Sequence, residues 1–365
     1  MKELIYWLWL MSLEKVSIKQ KNLLLEQFIS PEEIFSLSPE ALAKTKVLDQ
    51  STVNYFCQSR SLEKAKQDLS YLDKNNIQLI PRGAPEFPVA LTNLYMPPLG
   101  LYARGNLSLL HAPLSIAIIG SRNPSVAGEK YAKLFSQSLS AVGVTIVSGL
   151  ADGIDGKSHW SSVNELGSTI GVLGTGIDIC YPRVNKKLFE RMADKALIIT
   201  EFNLGEKPLP YHFPQRNRII SGLSQGVLVI EARRKSGSLI TVNHALEQGK
   251  NIYVIPGDIG GANWAGGNQL LKEGAKLVTE PRDILEDYII FDRSAQNQNE
   301  TRDQRTLKMA TPEEQLLFDL IKKGYRTIDE LVACTGLPIN RINSLLTMME
   351  IEEIIMIKYG NIALI

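Results

Sequence analysis

Two arginines flank an asparagine in Phe213-Pro214-Gln215-Arg216-Asn217-Arg218, and an aromatic residue stands three positions before the first of them. Arginine forks hold phosphates, and an aromatic face stacks an unpaired base. A plainer reading pairs these arginines with Glu201 or Glu231. A third arginine, Arg122, closes Gly120-Ser121-Arg122, which follows the apolar run 115–119. Two more small, polar segments share this character: Ser148-Gly149 after another apolar run, and Ser236-Gly237-Ser238 at a helix start. A Ser/Gly-rich helix start presents unpaired N–H groups and a positive dipole end to an anion. One such glycine turn is only a tight connection, but several at one sheet edge point to an anion site. The chemistry expected of Gly120, Ser121, Arg122, Ser148, Gly149, Phe213, Arg216, Asn217, Arg218, Ser236, Gly237 and Ser238 is therefore phosphate and base binding.

A sheet must position these residues. Seven apolar runs begin at 115, 144, 169, 196, 227, 252 and 276, steps of 24 to 31 residues with helical stretches between. That is the step of a βα unit, and continuous apolar runs fit strands buried on both faces. The expected fold is α/β, a doubly wound, Rossmann-like, mostly parallel sheet with ligands at the carboxyl ends of its strands. Residues 1–75 read as short helices, with Ser30-Pro31 and Ser38-Pro39 as cap-plus-proline starts. A proline-rich stretch, 80–105, leads into the core, so the core is placed at 76–291. The polar segment 292–310 reads as a flexible linker. Residues 311–365 read as three helices and two short strands around Tyr359-Gly360-Asn361, which is winged-helix order.

Charge narrows the partners. The chain of 365 residues carries 40 basic and 39 acidic side chains, so no global excess advertises a polyanion. Residues 311–365 hold five basic against eight acidic residues, and the third tail helix has Arg341 as its only base. The tail is therefore expected to touch protein rather than DNA. The cluster of Arg216, Arg218, Arg233, Arg234 and Lys235 directs a polyanion to the core. No apolar run approaches the ~20 residues of a membrane span. The opening run Leu4–Met11 lacks the flanks of a signal peptide. Three scattered cysteines without CxxC argue for a reducing, cytoplasmic setting and against a disulfide frame or zinc site.

Enzymatic signals are thin. GxGxxG is absent after the first run of the core, which disfavours a dinucleotide. Ala151-Asp152-Gly153-Ile154-Asp155-Gly156-Lys157-Ser158 fits a relaxed phosphate-loop pattern, but Asp152 and Asp155 occupy the loop that must cradle phosphates. His159 has no nucleophile to activate and reads as a packing residue.

Read together, these motifs resemble the DprA/Smf family of DNA-processing proteins. The resemblance rests on Gly120-Ser121-Arg122, Ser148-Gly149-Leu150-Ala151-x-Gly153-Ile154-Asp155 with His159, Tyr181-Pro182, Phe213-Pro214-x-Arg216-Asn217-Arg218, Ser236-Gly237-Ser238 and Pro256-Gly257. It implies an extended Rossmann core that binds single-stranded DNA, forms homodimers and loads the RecA recombinase in natural transformation. It implies a SAM-like or helix-hairpin-helix N-terminal piece, a winged-helix tail, no cofactor and no catalysis. Ala127 stands where the family pattern has tyrosine, and Asp152 adds a negative charge. The alternative is an enzyme on the same fold, a nucleoside-monophosphate phosphoribohydrolase or an ATPase. The phosphoribohydrolase signature is missing after Pro256-Gly257.

Overall fold

The computed structural model describes residues 2–292, 311–322, 325, 327–351, 355–358 and 361–364. Apart from Asp292, the expected 292–310 linker lies outside these residues, as do Tyr359 and Gly360 of the expected hairpin turn. The chain forms two compact units, Met1–Ile290 and Phe291–Ile365.

The first unit begins with six helices: α1 (Lys2–Ser12), α2 (Ile18–Gln27), α3 (Pro31–Ser36), α4 (Pro39–Lys44), α5 (Gln50–Gln58) and α6 (Glu63–Lys74). Ser17, Ser30, Ser38 and Asp49 cap helices α2 to α5, each accepting a hydrogen bond from a first-turn N–H that lacks a helical partner. Their apolar faces do not form a separate core. Trp9, Leu24 and Phe56 share one cluster with Tyr102, Leu150, Leu188 and Ile198 of the α/β part.

That part continues as β1 (Gln78–Pro81), α7 (Val89–Thr92), β2 (Gly100–Gly105), β3 (Ser115–Ile119), α8 (Val126–Ala141), β4 (Thr145–Ser148), α9 (Ile154–Ser162), β5 (Thr169–Val172), α10 (Lys186–Lys195), β6 (Leu197–Thr200), α11 (His212–Gly222), β7 (Gly226–Val229), α12 (Ser238–Glu247), β8 (Asn251–Val254), α13 (Ala265–Lys272), β9 (Lys276–Leu277) and α14 (Arg282–Asp292). The strands make one sheet in the order β1-β2-β6-β5-β4-β3-β7-β8-β9. From β6 to β9 all neighbours are parallel, whereas β2 pairs antiparallel with both β1 and β6. All seven expected runs fall on strands, and the doubly wound sheet is the fold expected from their spacing. The antiparallel edge, β1 and β2, was not anticipated.

Both sheet faces are covered, as a parallel sheet requires. Ile116 and Ile118 of β3 pack with Phe135 and Leu139 of α8. Ala117 and Ile119 alternate to the other face, with Ile219 and Ile220 of α11 and Val242 of α12. Strand order reverses direction at β3 and β7. Connections depart to opposite sides of this pair, leaving a crevice outside the carboxyl ends of the two strands.

The second unit contains α15 (Pro312–Lys322), α16 (Ile328–Thr335), α17 (Ile339–Ile351) and the antiparallel pair β10 (Ile355–Lys358) and β11 (Asn361–Leu364). Thr327 and Glu330 form a reciprocal capping box at α16. Leu317, Leu331, Ile342, Leu346, Ile355 and Ile362 make its core. On α17, Arg341 is tied to Glu313 of α15, with both Nε and Nη2 donating to Oε2 at 2.8 and 2.6 Å.

Candidate functional site

The β3–β7 crevice holds a cavity of about 600 Å³. Nine of the expected residues line it: Gly120, Ser121, Arg122, Phe213, Arg216, Asn217, Ser236, Gly237 and Ser238. Arg233 and Lys235 of the basic cluster join them, as do Tyr181 and Asp155, which the sequence marks only through motifs. Four cations thus face one carboxylate.

At the mouth, the exposed Arg122 guanidinium lies over the Phe213 ring, 5.3 Å from Cζ to centroid. Tyr181 sits 5.6 Å from Phe213, centroid to centroid, tilted by 40°. A cation stacked on an aromatic beside a second, exposed aromatic offers charge and flat apolar surface together. The start of α12 also lines the cavity. Ser236 and Ser238 link their hydroxyls at 2.6 Å, and the Ser238 N–H donates to Ser236 Oγ at 3.3 Å.

The floor is built differently. Arg216 is buried, and Nη1 donates to the carbonyls of Gly149 (2.7 Å) and Val172. Burial lowers its pKa to about 10, partly offset by the negative charge of Asp155, so it stays cationic at neutral pH. Asp155 accepts from the Gly149 N–H at 3.1 Å, and burial pushes its carboxyl up. Gly149 is needed here: a Cβ on it would lie 2.5 Å from Arg216 Nη2 and 2.7 Å from Asp155 Oδ2. Ser148 and Gly149 are thus beneath the floor rather than on the cavity wall. Ser148 Oγ donates to the Ile118 carbonyl at 2.6 Å and is fully buried.

Arg218 is placed elsewhere. Its Nη2 meets Glu201 Oε2 at 2.5 Å with both side chains buried, and it does not line the cavity. Glu231 pairs with neither arginine of α11. Its carboxylate accepts from the Ser125 N–H at 3.0 Å and from the Ser125 hydroxyl, at the first turn of α8. Gly128 makes room for it, since a Cβ there would lie 2.5 Å from the Glu231 carboxyl carbon. The helix start that takes a diphosphate in dinucleotide-binding sheets therefore holds a carboxylate of the protein itself.

The loop before α9 is held from behind. His159 is fully buried; its Nε2 accepts from the Leu150 N–H at 3.3 Å, and its Nδ1 lies 2.7 Å from Thr169 Oγ1. That hydroxyl donates to the Ile146 carbonyl, so Nδ1 carries the proton and the ring is neutral. Burial and the nearby Arg216 charge lower its pKa to about 3. Leu150 has a positive φ of 55°. Asn185 Nδ2 bonds the Leu150 and Ala151 carbonyls at 3.1 and 3.0 Å. His159 is thus a packing and positioning residue, as read from the sequence. Lys157, the lysine of the phosphate-loop-like octapeptide, forms an ion pair with Glu129 at 2.9 Å and does not line the cavity. Asp152 is exposed and accepts from the Gly153 N–H at 2.8 Å.

Fold and site together define an open α/β protein with a cationic, aromatic-rimmed cleft at its topological switch point. The sequence matches the family model described as DNA recombination-mediator protein A over residues 78–289, and the DprA winged helix domain over residues 300–358. The chain belongs to the DNA recombination-mediator protein A (DprA/Smf) family. It is 43% identical over 222 residues to Protein Smf of Escherichia coli strain K12, covering 60% of this chain and 59% of that protein, less than two thirds of its length. It is 41% identical over 214 residues to the DNA processing protein DprA of Bacillus subtilis, covering 59% of this chain and 72% of that one. Among solved structures it resembles the X-ray structure of DprA from Streptococcus pneumoniae. There the TM-score is 0.67 at 35% identity, covering 77% of this chain and 97% of that chain. It also resembles a DprA structure from Helicobacter pylori whose title describes a single-stranded DNA binding mode. That match has a TM-score of 0.54 at 28% identity, covering 59% and 96%. Among the described residues no helix is long and apolar enough to cross a membrane.

Proposed function

We propose that the switch-point cleft binds single-stranded DNA and that the chain is a non-catalytic DNA-processing protein. The observation that carries this reading is the stacked pair of Arg122 and Phe213 in a cavity that the Ser236-Gly237-Ser238 helix start also lines. In duplex DNA the bases face each other and only their edges are open to side chains, whereas a single strand offers base faces to stack and phosphates to pair. Arg122, Arg233 and Lys235 take phosphates, Phe213 and Tyr181 take bases, and Arg216 supplies fixed positive charge from below. Gly120, Ser121, Asn217, Gly237 and the two serines contribute backbone and hydroxyl contacts.

Support also comes from the family. The relatives in Bacillus subtilis and Streptococcus pneumoniae are named DNA processing protein, and the Helicobacter pylori structure is titled for single-stranded DNA. On this reading the chain protects incoming strands in the cytoplasm and loads RecA onto them during natural transformation, working as a homodimer through its Rossmann-like core. Residues 1–75 form a SAM-like or helix-hairpin-helix element, 292–310 a tether, and 311–365 a winged helix that contacts protein.

The test is a gel shift with oligo-dT in the absence of metal and nucleotide. Wild type is expected to bind and Arg122→Ala to bind more weakly. An Arg122→Ala protein with wild-type affinity and salt dependence overturns the assignment of the cleft.

A further inference from the structure

A second depression, about 750 Å³, runs between the outward faces of α8 and α9. On α8, Val126, Lys130, Lys133 and Gln137 recur at helical spacing along one stripe; on α9, Lys157 and Trp160 are three apart, and Asn164 follows just past the helix end. The exposed residues here are unusual for a helix that packs a sheet. Trp160 is 47% exposed, whereas Trp7, Trp9 and Trp264 are 7%, 2% and 8% exposed. Val126 is 89% exposed. Of the acidic residues, Glu129 is paired with Lys157 and Glu165 accepts from Gln137 Nε2 at 3.2 Å. Lys130 and Lys133 line the groove with no ion-pair partner among the described residues. At the far end Arg191 Nη2 reaches Asn164 Oδ1 at 2.6 Å and adds another cation.

The groove adjoins the cleft. Asn123 lines the cleft and Val126 lines the groove, three residues apart at the start of α8. Asp155 and Lys157 make the same transition in the first turn of α9. The cleft and the groove thus border one another at the starts of α8 and α9.

We propose that this groove is a second binding segment for single-stranded DNA, in which Trp160 stacks a base and Lys130 and Lys133 pair with its flanking phosphates. The proposal rests on the reading of the cleft as a single-strand site and extends the path of the strand from the switch point down the α8–α9 face. Unpaired lysines around an exposed aromatic face match the two elements of non-sequence-specific single-strand recognition. An acidic protein segment is the competing occupant, and it makes less use of the flat Trp160 face.

The test uses the full chain with two oligo-dT probes, of about 6 and about 20 nucleotides, the shorter to fill the cleft alone. Trp160→Ala and Lys130→Glu/Lys133→Glu are expected to weaken the long probe about five- to tenfold and leave the short probe unchanged, with Trp160→Phe restoring most of the loss. Long DNA, but not short, is expected to shield Trp160 from iodide quenching of its fluorescence. Unchanged affinity of both variants for the long probe, in proteins that melt like wild type, overturns the proposal. So does a loss confined to binding of an acidic peptide, which assigns the groove to a protein partner. Failure of the cleft itself reads differently: Arg122→Ala then leaves both probes unaffected.

Discussion

Arg216 and Arg218 stand two positions apart on α11 and serve opposite sides of it. One lies under the cleft with its guanidinium on the Gly149 and Val172 carbonyls; the other is locked to Glu201. Two helical steps turn a side chain through roughly 200°, so a pair at this spacing cannot share one pocket. Their chemistry diverges accordingly. Removing Arg218 strands the buried Glu201 carboxylate, and breaking such a pair costs about 3–5 kcal/mol. Arg218→Ala is therefore expected to lower the urea midpoint sharply while the remaining folded protein binds oligo-dT as before. A stable Arg218→Ala protein with weakened DNA binding contradicts this division of labour.

Arg122 has the opposite profile. It is exposed, so Arg122→Ala leaves the melting temperature nearly unchanged. Each phosphate contact on a single strand contributes about 0.7 to the slope of log K against log salt, and the slope is expected to fall by about that amount. Phe213→Ala is expected to weaken binding by about 1–3 kcal/mol with the slope intact, because stacking releases no counterions. Salt titrations by fluorescence anisotropy separate the two.

His159 makes the fold acid-sensitive. Its pKa in the folded chain, about 3, lies below the ordinary histidine value, so the unfolded chain takes up a proton first as pH falls. The stability it contributes is full above about pH 6.5 and is lost progressively toward pH 3, at up to about 1.4 kcal/mol per pH unit. Urea denaturation across this range is expected to show a shallower pH dependence in His159→Asn than in wild type. Equal slopes refute the assignment.

The tail helix α17 has its one basic side chain, Arg341, already engaged with Glu313. Deletion of residues 300–365 is expected to leave single-strand affinity within about threefold of wild type, since phosphate contacts need clustered cations. Sedimentation or partner capture is where the deletion shows. Loss of most DNA affinity, with circular dichroism unchanged, defeats this expectation.

Much of the fold is legible in the chain. Strands β3 to β8 advertise themselves because burial on both faces leaves uninterrupted apolar runs such as 116–119 and 227–229, whereas β9 is a two-residue exposed edge. The antiparallel edge does not: β1 and β2 are as long as the other strands but lie in a proline-rich stretch that reads as a connection. Strand order is invisible to periodicity, so nothing in the sequence says that the ends of β3 and β7 are neighbours. The cleft residues were found by type: small, cationic or aromatic at strand ends. Composition groups Arg218 with Arg216, and only the helix phase separates them. Arg233 and Lys235 are legible as a basic cluster, but their place on the cleft wall, like that of Tyr181, depends on loops whose course is set by tertiary packing. Trp160 carried no signal, because exposure cannot be read from a single aromatic in a helix.

Glu231 has a bearing on protein engineering. Its carboxylate at the first turn of α8, nestled against Gly128, acts as a built-in inhibitor of the anion site that other sheets of this topology keep vacant for a cofactor. Redesign of this scaffold into a nucleotide-dependent catalyst therefore has an obligatory first edit. Until Glu231 is replaced by a small neutral residue, a glycine-rich loop grafted after β3 would bring a diphosphate against a resident negative charge.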